Sequence, residues 1–326
     1  MWSHPWGMGE GIAIGAGLIV TGLLLQLSIG PVLWELFAWP VNILVVGCWL
    51  AVVGCMALLH NKVYAVRFLG SFAAAIPAMG YAVLLTIVMG LTTQSDSGSW
   101  FGNMLRCWPF VLIYTWIVVI LSLVVVKGLR LTASCAPLVL RRASSESRLR
   151  LTTNLSSLSS LLSPLLLHTG LLVALVCGTL GNPDMRRLKM ICGYGEPEWR
   201  AIDDKNRVVE LPLAIELKKF TMEEYAEEGM PKRFASDIQI LTRSGKNITA
   251  TVEVNKPVEV EGWKIYQYGY DQQMGAMSQI SIFELVTDPW LPAVYTGIYM
   301  MLAGAFCMLI FGVRRSQKKL EEVRGS

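Results

Sequence analysis

Val252-Glu253-Val254-Asn255-Lys256-Pro257, followed by Glu261-Gly262-Trp263-Lys264-Ile265-Tyr266-Gln267-Tyr268-Gly269-Tyr270-Asp271, is the stretch whose reading decides the fold. Two β-type runs flank a Pro-containing connection, with aromatics set between glycines, and they read as adjacent strands of a small folded domain. Downstream, Asp288-Pro289-Trp290-Leu291-Pro292 leads straight into a hydrophobic run. A polar β domain therefore abuts an apolar helix.

The rest of the chain is mostly apolar. Its 326 residues are 53% hydrophobic and only 16% charged, with a mean hydropathy of +0.49, on the apolar side of soluble domains. A bilayer crossing needs roughly 20 apolar residues. Such runs occur at Gly11 to Gly30, Val41 to Leu59, Phe68 to Leu91, Trp108 to Val126, Leu161 to Leu180 and Leu291 to Val313. The first lacks a basic n-region and a small-residue cleavage site, so it reads as a retained helix rather than a cleaved signal peptide. The fold class is a polytopic α-helical membrane protein of about six transmembrane helices, with a mainly antiparallel β extracytoplasmic domain.

Positive charge sets the expected orientation. Lys62 and Arg67 lie between the second and third spans; Lys127, Arg130, Arg141, Arg142, Arg148 and Arg150 between the fourth and fifth; Arg314, Arg315, Lys318 and Lys319 after the sixth. All three clusters fall on one side, the cytoplasm. Both termini are then cytoplasmic, and the acidic block from Asn182 to Asp288 lies outside the inner membrane. The expected division is 1–60, a two-helix extension; 61–181, a transmembrane core with a basic cytoplasmic loop over 127–160; 182–288, the β-rich domain; and 289–326, the last helix and a basic tail. The connection Thr132 to Ser160 reads either as an amphipathic helix on the inner leaflet or as a flexible basic loop. The net charge of +4 comes from short runs beside the spans, a pattern of membrane topology and not of nucleic-acid binding.

Within the outer domain, Val208 to Leu217 and Asp237 to Thr242 alternate apolar and polar residues. Ser244-Gly245-Lys246-Asn247 is a turn, Ile248 to Val254 its returning strand, and Trp263 to Tyr268 and Gln279 to Val286 supply two more. Acidic Thr221 to Glu228 suggests a short helix. An antiparallel sheet or small sandwich fits this pattern.

Chemistry-bearing residues are few. None of the seven cysteines forms a C-x-x-C pair, and Cys192 alone lies clearly in the outer domain, which argues against thiol redox chemistry and thiolate metal sites. The outer domain holds no histidine, so no Ser-His-Asp or Cys-His site is available there; no catalytic residue is assigned. Asp237, Asp271 and Glu284 read as isolated carboxylates capping turns or facing water. Of three histidines, His4 lies in the N-terminal tail and His60 closes the second span as an interfacial cap. His168, in Leu165-Leu166-Leu167-His168-Thr169-Gly170-Leu171-Leu172, sits inside an apolar run, on the order of 10 Å from its cytoplasmic end. An ionisable group there is a functional candidate or a neutral imidazole bonded to a neighbouring helix. A neutral imidazole is also a common axial ligand of haem iron.

These residues carry a resemblance. Leu167 to Leu172, Leu211-Pro212-Leu213, Leu217, Phe220, Pro231 to Asp237, Val254-Asn255-Lys256-Pro257, Gly262 to Gln267 and Asp288-Pro289-Trp290, in this order around the spans, resemble the ResB (CcsB) family of the System II cytochrome c biogenesis machinery, from about Phe68 to Gly312. The resemblance implies a subunit that works with CcsA, a membrane protein with a tryptophan-rich haem-binding segment, to move haem across the membrane and attach it to apocytochrome c as part of a haem lyase complex. It implies transient haem b, with His168 as axial ligand to the iron and His60 as the weaker candidate; Arg148 and Arg150, near the same face, either meet the propionates or serve only as topology signals. This chain has no tryptophan-rich WGxxWxWD segment and no external histidine, so the CcsA-type partner is a separate protein. The first two spans lie outside the resemblance. The rival expectation is a membrane-tethered binding or assembly protein for a respiratory complex, with no haem contact.

Overall fold

Each long apolar run closes its backbone hydrogen bonds internally as a helix, the form a hydrocarbon environment demands. The computed structural model describes residues 4–60, 62–94, 102–143, 148–224 and 231–324, with backbone alone at 135–143, 148–161, 224, 231 and 311–324. Its helices are α1 (Met8–Ile29), α2 (Val41–Leu59), α3 (Tyr64–Leu69), α4 (Phe72–Leu91), α5 (Trp108–Ala143), α6 (Arg148–Gly181) and α7 (Leu291–Arg324). Six of them, all but the short α3, are long and apolar enough to cross a membrane, so the chain is a multi-pass membrane protein. The strands are β1 (Arg186–Gly193), β2 (Pro197–Ile202), β3 (Val208–Glu224), β4 (Pro231–Thr242), β5 (Asn247–Glu253), β6 (Val258–Val260), β7 (Trp263–Tyr270) and β8 (Ile280–Thr287). Two compact units result: the helices with Met1–Pro183 and Trp290–Ser326, and the sheet with Asp184–Pro289.

In the helical unit, glycines let backbones meet. A Cβ on Gly170 of α6 would lie 2.5 Å from the Gly297 carbonyl of α7, and one on Gly304 would lie 2.8 Å from the Ser163 carbonyl. This small-residue seam replaces the hydrophobic drive that lipid removes. The first two spans belong to the same bundle. Gly11 and Gly15 of α1 press on Ala73, Pro77 and Tyr81, and Gly22 presses on Pro109. Asn42 of α2 is fully buried and donates to the Leu180 carbonyl at 3.1 Å; Trp49 donates to Ser122 Oγ at 3.3 Å. Where α1 ends, Arg106 pairs with Glu35 at 2.9 Å and Trp108 donates to the Gly30 carbonyl at 2.9 Å.

The basic connection differs from both expectations. Residues 132–143 and 148–160 continue α5 and α6 as helix, without a break at the end of the apolar run. At 1.5 Å per residue, the 36 residues of α5 reach about 54 Å, well past a hydrocarbon core of about 30 Å. The helix carries on through Pro137, which has no backbone N–H to offer the turn before it. Arg141, Arg142, Arg148 and Arg150 lie on these arms, and their side chains fall outside the described residues.

The β unit is one antiparallel sheet in the order β5-β4-β3-β2-β1-β8-β7-β6. This corrects the expected adjacency of the two opening runs. Val252 belongs to β5 and pairs with β4, whereas Trp263 to Tyr270 is β7, between β6 and β8. They stand near opposite ends of the sheet. The intervening Val258–Val260 is a separate short strand, returned to β7 by a two-residue turn with Glu261 at φ 50° and Gly262 at φ 82°. Two positive φ values are what this tight hairpin needs. A second correction concerns Thr221 to Glu228: its described part, Thr221 to Glu224, extends β3 and pairs with β4, because Phe220 and Met222 continue the inward alternation opposite Ser236 and Phe234. Residues 225–228 lie outside the described residues. The sheet curls around a single core built from every strand, including Met190, Cys192, Ile215, Leu217, Ile238, Ile265 and Phe283.

Candidate functional site

The site is built on α6. Pro164 lies inside this helix, and four residues later His168 Nδ1 is 2.6 Å from the Pro164 carbonyl oxygen. A carbonyl only accepts, so Nδ1 carries the proton and donates it. That bond fixes the tautomer and leaves Nε2 as the lone-pair nitrogen, the arrangement found in imidazole ligands whose second nitrogen is anchored. The side chain is half-buried. As one axial donor to a haem iron, its chemistry fits: an imidazole oriented by a second-nitrogen hydrogen bond in apolar surroundings.

Two seams fix which way α6 faces. Ser163, Leu167, Gly170 and Ala174 meet α7 at Gly297 and Gly304. Leu165 meets Gly128 of α5, and Thr179 shares a hydrogen bond of 2.7 Å with Tyr114 Oη, which also reaches the Leu175 carbonyl at 2.9 Å. His168 is about 60° round the helix from Leu165, on the flank of the α5 seam and away from α7.

The structure does not bring His60 to His168. His60 caps the end of α2, its backbone N–H donating to the Ala57 carbonyl at 3.4 Å, and is half-buried. No hydrogen bond or ring contact joins the two among the described residues. Counted from the Asn42–Leu180 contact, His60 is 18 residues along α2 and His168 only 12 along α6, an axial offset of about 9 Å. His4 proves to be more than a tail residue: its ring packs against Tyr64 at 4.1 Å and Trp6 at 5.7 Å, and Arg67 stands over the other ring contact at Tyr64, 5.3 Å from its centroid. Neither its surroundings nor the Pro164 bond was read from sequence, although the four-residue spacing of Pro164 and His168 is visible there.

The β unit offers little chemistry of its own. Cys192 is fully buried in the core, and burial pushes its thiol up to about 12, which makes it inert. Among the described residues there is no disulfide and no metal-binding group of His, Cys, Asp or Glu. A shallow hollow of about 160 Å³ is lined by Thr221, Glu223, Arg233, Ala235, Asp237 and Thr251. Arg233 within it is neutralised by Glu223 and Glu253. Arg233 and Lys256 hold the Glu253 carboxyl down at about 2, as Arg200 does for Glu198. Asp237 accepts from Thr251 at 2.6 Å, and Asp271 caps a turn by accepting from Gln273 N–H at 2.9 Å.

Comparison with known proteins adds a family. Residues 158–280 match the model of the ResB-like family. A protein described as cytochrome c biogenesis protein CcsB from Prochlorococcus marinus (strain NATL1A) is 28% identical over 106 residues, and its counterpart from Prochlorococcus marinus subsp. pastoris (strain CCMP1986 / NIES-2087 / MED4) is 29% identical over 107. Each alignment takes in 32% of this chain and 24% of the relative, so the chain spans about a quarter of the length of the curated relatives it matches. The resemblance read from the sequence therefore stands on a defined stretch: from the helix that bears His168 to the first residue of β8, this chain carries a ResB-like region.

Proposed function

We propose that this chain is a ResB-like subunit of a membrane complex in cytochrome c maturation, which passes haem across the cytoplasmic membrane and supports its covalent attachment to apocytochrome c. One observation carries the reading: within the ResB-like region, a span holds an imidazole whose Nδ1 is tied to Pro164 and whose Nε2 is left for a metal. The cargo, haem b, supplies an iron that takes such a nitrogen axially. His168 holds it, and the second axial position belongs to a CcsA-type partner, since His60 is offset along the bundle. The arms of α5 and α6, with Arg141, Arg142, Arg148 and Arg150, face the cytoplasm with both termini, and the β unit faces outward.

The test is copurification with the CcsA-type partner and the absorption spectrum of the haem that comes with it. His168→Ala is expected to lower bound haem by about tenfold or more, while His60→Ala leaves it unchanged. Equal haem in the His168 variant and the parent would refute the ligand role.

A second reading, a membrane-tethered assembly protein that never touches haem, is favoured by the exposed apolar side chains of the β unit, among them Tyr194, Met274 and Met277. A deletion that spares holocytochrome c while abolishing assembly of another respiratory complex would select it.

A further inference from the structure

A hydroxyl inside a membrane span has few partners, and the usual one is the carbonyl one turn back. This chain uses it repeatedly. Thr86 donates to Ala82 at 2.8 Å, Thr115 to Val111 at 2.7 Å, Ser122 to Val118 at 2.7 Å and Thr296 to Pro292 at 2.8 Å. Thr179 pairs instead with Tyr114 across the α5–α6 seam. Two buried hydroxyls break the pattern. Thr132 Oγ1 on α5 and Thr169 Oγ1 on α6 have no hydrogen-bond partner among the described residues.

Both lie on one seam. Tyr114 meets Thr179 and Gly128 meets Leu165, so 14 residues along α5 answer to 14 along α6 and the antiparallel register is constant. Thr132 is one turn beyond Gly128 on the same face of α5. Thr169 is one turn from Leu165 on the same face of α6, level with Val124. The two hydroxyls are thus on the order of 12 Å apart along the seam, with the level of His168 between them. Between their levels Leu165 Cδ1 fills the space at Gly128, 3.1 Å from where a Cβ would stand. A buried hydroxyl with no protein partner in a polar enough niche is where ordered water or a ligand oxygen sits.

We infer that the α5–α6 seam is a binding site for small oxygen-bearing guests, water or a ligand carboxylate, hydrogen-bonded to Thr132 and Thr169 and lying beside His168. The intramembrane imidazole then has a hydrated flank on the side toward the helical arms, while its α7 side stays dry behind the glycine seam. The inference rests on the packing of α5 and α6 and stands apart from the haem reading.

Thiol chemistry tests it in native membranes. Thr132→Cys, Thr169→Cys and, as a control on the same face of α6, Leu172→Cys are treated with a cationic methanethiosulfonate, and the labelling of the parent chain is subtracted. Only a hydrated thiol ionises and reacts, so both threonine positions are expected to label about tenfold or more faster than Leu172→Cys. Rates no faster than the control overturn the seam. Hydroxyl-radical footprinting of the parent chain gives an independent answer without substitution: oxidation at His168 supports the hydrated flank, and protection of His168 overturns it. Added haemin distinguishes the guests. Slower labelling at Thr169→Cys with Thr132→Cys unaffected makes the guest at Thr169 a carboxylate of the ligand, whereas unchanged rates make it water. Both outcomes keep the seam, and the second counts only against the proposed haem contact.

Discussion

Ser236 on β4 and Ser281 on β8 share a fully buried hydrogen bond of 2.7 Å, although β3, β2 and β1 separate their strands in the sheet. Only a sheet curled on itself brings them together. The tilted ring contacts of Tyr270 on β7 with Phe220 and Phe234, at 5.2 and 5.1 Å, mark the same closure. Either Ser→Ala change strands the remaining hydroxyl in the core and is expected to cost about 1–3 kcal/mol. The double change is expected to cost less than the sum of the two. Thermal unfolding of the full chain in detergent, followed by its β-sheet signal, measures both.

The glycine seam between α6 and α7 makes a position-specific claim. Gly170→Val is expected to destabilise the helical unit by about 1–3 kcal/mol or more through overpacking against Gly297 and Met301. Gly178→Ala, on the same helix with nothing within 4 Å of its added Cβ, is expected to be neutral or slightly stabilising. Unfolding in mixed micelles separates the two; equal losses would remove the seam as the reason.

Glu253 sets a pH dependence. Its carboxyl is held down from 4.5 to about 2 by Arg233 and Lys256. A depressed carboxylate contributes stability that is present above its unfolded value and fades as pH falls through the folded one. The stability gap between the parent and Glu253→Gln is therefore expected to be constant from pH 7 to about 5 and to close between about 4.5 and 2. Because the pair is exposed, the gap is small and shrinks with salt.

Asn42 anchors α2, a helix whose surface is otherwise largely exposed. Asn42→Leu removes the donor to Leu180 and is expected to cost about 1 kcal/mol. Hydrogen exchange in α2 is expected to accelerate while α6 and α7 keep their protection.

Much of this architecture is legible in the linear chain. Each span announces itself by some 20 apolar residues, and β3, β4, β5, β7 and β8 by alternation that survives in the buried pattern of Trp263, Ile265 and Gln267. The strands β1 and β2 escape notice because Ile191 faces outward beside a basic start, and because the register shifts between Glu198 and Arg200. Val258–Val260 is too short to show a period. His168 stands out because a titratable group is costly in an apolar run. The bond that sets its tautomer, and the unpartnered Thr169 beside it, emerge only when the helix is built and packed.

Local chemistry, then, settled what this chain could determine alone: which segments leave water, which strand faces are apolar, and which imidazole lies within a span. Those properties depend on neighbours a few residues away. Tertiary structure decided the rest. Backbone ladders are alike for every strand, so only packing around a shared core chose to set β5 and β7 apart in the sheet and to close β4 against β8. Helices in lipid gain little from apolar surface as such, so the fit of Gly170 to Gly297, and of Tyr114 to Thr179, decided which faces of α6 meet protein and left His168 on the flank of the α5 seam, away from α7.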